Sequence, residues 1–189
     1  MKPETRKEEI VITAAKLFKQ KGYSAVTMRD LAKAMGIKAA SLYNHINSKQ
    51  EILTNIIIAL AEEFTEGMRI IKTSNLKNLD KLRQIVNLHV KITTENTFGM
   101  ASLNNDWMHL EEQLDYYFKL RRNYEDDFRN IIVEGIEIDE ISNSNPDVML
   151  FSMLSTLRSL YIWIPKKEDL KPEELSKNLS DVLINGITK

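Results

Sequence analysis

The chain has 189 residues, of which 43% are hydrophobic and 28% charged, with six Gly, four Pro and no Cys. The missing cysteine excludes disulfide frameworks, zinc–cysteine sites, iron–sulfur clusters and cysteine nucleophiles, and the scarcity of Gly and Pro argues against an all-β fold with its many tight turns. A net charge of −1 hides an asymmetry: residues 1–50 hold ten Lys and Arg against four acids, while residues 51–189 hold sixteen against 23, so one basic end is suited to a polyanion.

The opening stretch Met1–Lys7 lacks the apolar core of a signal peptide. No apolar run approaches the roughly 18 residues of a membrane span. The expectation is a cytoplasmic protein with no membrane partner.

In chain order the pattern is helical throughout. Ile10, Ala14, Leu17 and Phe18 form one helical stripe that Gly22 stops. Thr27 and Asp30 have capping-box spacing and open a short helix through Leu31, Ala32 and Met35, ended by Gly36. A third short helix spans about 38–44 and packs through Leu42 and Ile46. Ser48 caps a fourth, with Glu51 completing a second capping box, and that helix runs on to Phe64. Leu79, Leu82, Val86, Val90 and Thr93 make the next stripe, which Thr97-Phe98-Gly99 breaks. A short segment leads into a long helix over about 110–137. The loop 142–146 precedes an apolar helix over 148–164, ended by Pro165, and Pro172 starts the last helix. The predicted fold is all-α, with about nine helices. A helix-turn-helix domain occupies 1–47, and a helical ligand-binding and dimerisation domain occupies 48–189.

The two short helices joined at Met35-Gly36-Ile37 lie inside the basic segment and make a helix-turn-helix pattern. Gly36 accepts a left-handed backbone at the turn. Leu42 anchors the second helix, which leaves Lys38, Ala39, Ser41 and Asn44 facing outward. Small outward residues let such a helix sit deep in a major groove.

The run Thr27-Met28-Arg29-Asp30-Leu31-Ala32, then Met35-Gly36-Ile37, then Ser41-Leu42-Tyr43-Asn44-His45 through Ser48-Lys49 to Leu53 resembles the signature of the tetracycline-repressor (TetR) family. Ala14-Ala15, Leu17-Phe18 and Gly22-Tyr23 match its first helix as well. The resemblance covers about 50 residues closely and the helical plan of the chain loosely. It implies that Thr27 caps the second helix near a phosphate, that Tyr43 and His45 contact phosphates, and that Lys49 neutralises one. Such contacts set affinity and register rather than sequence choice. Lys38, Ala39, Ser41 and Asn44 stand where the family reads bases. Lys38 replaces the usual Ser or Thr and so weakens the N-cap, and Ala40 replaces a common Gly.

The resemblance further implies a homodimer on a palindromic DNA operator and a small-molecule effector in the body. The dimer face falls on the last two helices, with Ser152, Ser155 and Ser159 spaced for close contact and Leu175, Leu179, Val182 and Leu183 as an apolar seam. A weaker resemblance, in Arg121 to Ile136 and Trp163-Ile164-Pro165, is to TetR repressors of fatty-acid and sterol breakdown, and it implies an acyl-coenzyme A or fatty acid among the lipophilic effectors to be considered. Pocket candidates are Phe98, Met100, Leu103, Trp107, Leu110, Tyr117, Phe151, Leu154, Arg158 and Trp163. Arg158 lies in an apolar helix and needs a partner, either an anionic ligand group or an acid such as Glu134, with the internal salt bridge favoured.

Rival readings are weaker. A di-iron bundle needs two Glu-x-x-His motifs, and the chain offers a single loose Asp106-x-x-His109, so His89 and His109 read as partly exposed or hydrogen-bonded residues with no metal. There is no Gly-x-Ser-x-Gly and no phosphate loop. The sequence therefore predicts a DNA-binding transcriptional regulator, not an enzyme, without a cofactor. The alternatives are a helical protein-interaction adaptor or a small helical-bundle enzyme.

Overall fold

A computed structural model describes residues 5–167 and 170–186. Ten α-helices carry the described chain: α1 Arg6–Lys21, α2 Met28–Ala34, α3 Ala39–Leu42, α4 Lys49–Thr73, α5 Asn78–Glu95, α6 Thr97–Asn105, α7 Leu114–Glu137, α8 Pro146–Arg158, α9 Leu160–Trp163 and α10 Pro172–Asn185. Among the described residues there is no strand. Single 3-10 turns at Trp107–His109, Glu111–Gln113 and Ile164–Lys166 complete the set.

The chain divides into two compact units. The first takes the chain up to Ala61 together with Asn96–Phe118, and the second takes Glu62–Glu95 and the residues from Lys119 onward. Ile52, Leu53, Ile56, Ile57 and Leu60 of α4 are buried and belong to the first unit, where α6 packs on α1.

In the first unit a full capping box starts α1, with Thr5 and Glu8 each taking the other's backbone N–H. Ile10, Ala14, Ala15 and Phe18 form its buried stripe. The break expected at Thr97-Phe98-Gly99 falls one residue earlier. The Asn96 side chain accepts the Gly99 N–H at 3.0 Å, so Thr97 opens α6 instead of ending a helix.

In the second unit α5 packs against α8, α9 and α10. Glu140 reaches back to accept the N–H of buried Asn78 at 2.8 Å and so caps the start of α5. The helix expected over 148–164 is split. The Ser159 N–H is shared between the carbonyls of Ser155 and Thr156, and its hydroxyl bonds to the Ser155 carbonyl at 2.9 Å, the back-bonding that bends helices. The stretch Pro146–Lys166 is nevertheless long and apolar enough to cross a membrane by length and composition alone, which corrects the expectation that no such run exists. Only 28% of its most apolar window is buried within the subunit.

The centre of the second unit is aromatic. His89 is fully enclosed, its Nε2 2.8 Å from the Tyr124 hydroxyl oxygen and its ring 4.6 Å from that of Phe64. Burial, with the charge of Arg158 adding to it, holds the imidazole pKa down to about 3. The unfolded chain therefore binds a proton near pH 6.5 that the folded chain refuses. Stability contributed by the neutral ring is present above pH 6.5 and is lost as pH falls below it, down to about pH 3. Urea titrations should show wild type losing about 2 kcal/mol more than His89→Gln between pH 7.5 and pH 5. Parallel curves for the two proteins would contradict the assignment.

Candidate nucleic-acid interface

The exposed half of the helix-turn-helix is built by two buried side chains and one turn. α2 starts with Thr27, whose hydroxyl oxygen accepts the Asp30 N–H at 3.1 Å while the Asp30 carboxylate accepts the Thr27 N–H at 2.9 Å. The Thr27 hydroxyl, which donates to the Asp30 carboxylate at 2.5 Å, and then the Thr27 N–H hold that carboxyl below its usual range. α2 ends in a Schellman turn: the Ile37 N–H bonds to the Ala32 carbonyl and the Gly36 N–H to the Lys33 carbonyl, with Gly36 at φ +67°. The turn delivers the chain to α3, a single turn of helix. Lys38 is its N-cap and gives no side-chain bond, as its residue type implies.

Leu42 and Ile46 are buried, which fixes the rotation of α3. Lys38, Ser41, Tyr43, Asn44 and His45 are all exposed, Tyr43 by 52%, and Ala39 is half-exposed. Thr27 is exposed at the start of α2. Seven of the eight residues expected to meet DNA thus stand at the surface of one small segment.

Lys49, the eighth, is engaged elsewhere. Its ammonium donates to the Tyr23 carbonyl at 2.9 Å and lies 4.2 Å from the centre of the Tyr23 ring. The second capping box is also half-formed. The Ser48 hydroxyl accepts the Glu51 N–H at 3.0 Å, but the Glu51 carboxylate takes both the backbone and side-chain N–H groups of Asn47, each at 2.9 Å. Asn47 out-competes Ser48 because it offers two donors at once. These bonds, and the ammonium of Lys7 at 3.1 Å, hold the Glu51 carboxyl below its usual range.

Two family descriptions match the chain. One, bacterial regulatory proteins of the tetR family, covers residues 10–56; the other, the tetracyclin repressor-like C-terminal domain, covers residues 75–187. This chain belongs to the TetR family. It is a DNA-binding transcriptional regulator with the family's all-α fold. It is 24% identical over 186 residues to the HTH-type transcriptional repressor KstR2 of Rhodococcus jostii, covering 96% of this chain and 91% of that one. The structure of the ketosteroid transcriptional regulator KstR2 of Mycobacterium tuberculosis superposes with a TM-score of 0.90 at 20% identity, over 100% of this chain and 97% of that one. AibR in complex with isovaleryl coenzyme A and operator DNA gives 0.79 at 21% identity, over 95% and 98%.

The ten pocket candidates of this TetR-family chain fall into two groups. Six lie in the first unit. There Met100, Leu110 and Tyr117 are buried, Leu103 and Trp107 are half-buried, Trp107 stacks on Tyr117, and exposed Phe98 lies 5.3 Å under the Lys19 ammonium. Four lie in the second unit. Leu154 is buried, but Phe151 is 73% exposed and Trp163 is exposed, so neither lines the interior of that unit. Arg158 does form an internal salt bridge. Its partner is Glu125 at 2.5 Å rather than Glu134, and Glu125 is shared with Arg121 at 3.0 Å. Sequence reasoning passed over His89 and Tyr124 as a central pair; a lone histidine in an apolar stripe was the available signal. Among the described residues no group of three His, Cys, Asp or Glu could hold a metal ion.

Of the dimer candidates, Ser152, Ser155 and Ser159 are exposed, Val182 is half-exposed, and Leu179 and Leu183 are half-buried. Leu175 is buried beside Ser176 and Ser180 on the face of α10 that packs on α5, where the Ser176 hydroxyl bonds to Asn87. It belongs to the subunit's own core rather than to a seam.

A side chain at Gly36 would meet no atom within 4 Å, but its φ of +67° strains any L-residue. Gly36→Ala should therefore cost about 1 kcal/mol in chemical denaturation, from backbone strain alone. A neutral result would mean that the turn relaxes and does not fix α3.

Proposed function

We propose that α3 and its flanks bind the major groove of a palindromic operator, and that the chain acts as a homodimeric cytoplasmic repressor released by a lipophilic effector. The observation that carries this reading is the exposed row Lys38, Ser41, Tyr43, Asn44 and His45 around buried Leu42 and Ile46, in a segment with six surplus positive charges. Lys38, Ala39, Ser41 and Asn44 read base edges. Thr27, Tyr43, His45 and the half-exposed Lys49 hold phosphates. Residues 1–47 form the functional head and 48–189 the sensing and dimerising body.

The dimer face is the outer side of α8–α10. Val148, Phe151, Ile162 and Trp163 are exposed there, next to Ser152, Ser155 and Ser159. The Thr156 hydroxyl bonds to the Ser152 carbonyl at 3.1 Å and that of Ser159 to the Ser155 carbonyl, so these small residues cover the helix without demanding water. A stretch this apolar and this exposed calls for a partner helix pair rather than for lipid. Leu179, Val182 and Leu183 continue the face.

The effector is read as an acyl-coenzyme A or fatty-acid-like molecule. The isovaleryl coenzyme A held by the similarly folded AibR supports that class. In the second unit the buried His89 Nδ1 has no hydrogen-bond partner among the described residues and the rings of Phe64 and Tyr124 border the same imidazole, which offers an apolar molecule one polar contact. The effector would shift the dimer toward a state with misplaced recognition helices, by no more than its preference for that state.

Tyr43→Ala should weaken binding to every duplex about tenfold while leaving the slope of log affinity against log salt nearly unchanged, because the phenol carries no charge, whereas Ser41→Ala should change which sequence is preferred. Unchanged duplex affinity in Tyr43→Ala would overturn the assignment of α3. Phe151→Glu should yield a monomer in analytical ultracentrifugation with helicity retained; a dimer in that variant would move the interface elsewhere.

A further inference from the structure

One residue of the first unit gathers more interactions than its place after a helix end requires. Tyr23 follows Gly22, whose φ of +82° ends α1. Its carbonyl accepts from Lys49 at 2.9 Å and its hydroxyl donates to Gln50 Oε1 at 2.7 Å. Its ring lies under the Lys49 ammonium at 4.2 Å, edge-on to Phe18 at 5.1 Å, and 5.1 Å from the His109 imidazole. Gln50 closes the circuit, since its Nε2 donates to the backbone carbonyl of His109 at 2.5 Å.

The first turn of α4 is therefore tied through Lys49 and Gln50 to Tyr23 and to the 3-10 turn Trp107–His109. That turn is itself held by the His109 N–H on the Asp106 carbonyl and the Leu110 N–H on the Trp107 carbonyl. On its other side the first turn of α4 is tied to the residues after α3. Glu51 holds both donors of Asn47, and the His45 and Ile46 N–H groups both reach the Leu42 carbonyl. Each link is a directional bond that fails within about 1 Å of displacement. The Gln50 amide uses both ends, so moving the turn at 107–109 must either drag the start of α4 or strand a polar group that is partly out of water.

We infer that Tyr23 and Gln50 are positioning residues of the DNA interface, which make the set of α3 and Lys49 depend on the turn Trp107–His109. The inference rests on the reading of α3 as the DNA-facing helix. It assigns Lys49 a phosphate-facing pose fixed by Tyr23 rather than a free one. It also makes residues 106–110 the place where a change elsewhere in the chain can reach the operator contacts. Coupling of this kind is reciprocal: if the turn sets the interface, a duplex bound at the interface must change the turn.

Hydrogen exchange on the full chain, with and without the duplex it enriches from a random library, tests this without any effector. In the wild type the duplex should slow exchange at 38–49 and, by threefold or more, at 106–110. In Gln50→Leu the duplex should still slow 38–49 while leaving 106–110 unchanged, and affinity should fall threefold to tenfold. Gln50→Glu keeps the acceptor for Tyr23 but loses the donor to His109, and should behave like Gln50→Leu. Tyr23→Phe, which removes only the hydroxyl, is the second variant should Gln50→Leu not fold, and it should weaken the effect at 106–110. Slowing confined to 38–49 in the wild type, or undiminished slowing at 106–110 in the folded variants, would overturn the inference and leave the reading of α3 intact. A duplex bound without slowing at 38–49 would overturn that reading itself.

Discussion

A helix of four residues does not hold itself together in water, because one turn fixes several dihedrals in return for a single hydrogen bond. α3 exists only because Leu42 and Ile46 are withdrawn into the first unit while the Gly36 turn feeds the chain in at the right angle. The same burial leaves Lys38, Ser41, Tyr43, Asn44 and His45 with nowhere to go but outward. The surface we propose for DNA recognition is thus a by-product of core packing: the apolar pair chooses the face, and the polar residues between occupy it.

The charges follow that division of labour. The positive surplus sits with the head, and the acids of the remainder are partly tied up in pairs such as Lys72–Asp127, Arg129–Asp147 and the shared Glu125. The pairs at Lys72 and Arg129 are exposed and contribute little to stability. Glu125 is different, since it answers two guanidiniums in a partly buried position, and those bonds hold its carboxyl below the usual range against the opposing effect of burial. At the centre of the second unit burial keeps the His89 imidazole uncharged beside the neutral phenol of Tyr124.

Much of the head was legible in the sequence because its signals are local. The Thr27–Asp30 capping box, the glycine turn at residue 36, the poor cap at Lys38 and the inward pair Leu42 and Ile46 each depend on residues no more than five apart. What was not legible depends on distant partners or on competition. Glu51 prefers the two donors of Asn47 to the backbone of Ser48. Lys49 turns to Tyr23, 26 residues away. Arg158 meets Glu125 rather than Glu134, a choice set by how α8 lies on α7 and not by composition. Phe151 and Leu154 look alike in the sequence, yet one is exposed and the other buried, because composition alone does not say which side of an apolar helix the core covers.

Sequence-specific recognition by paired recognition helices is tested directly by selecting bound duplexes from a random library at near-physiological salt. The predicted result is an inverted repeat whose half-site centres lie one DNA turn or more apart, about 34 Å or a multiple of it. Unselective, salt-sensitive binding, or no binding, would contradict it.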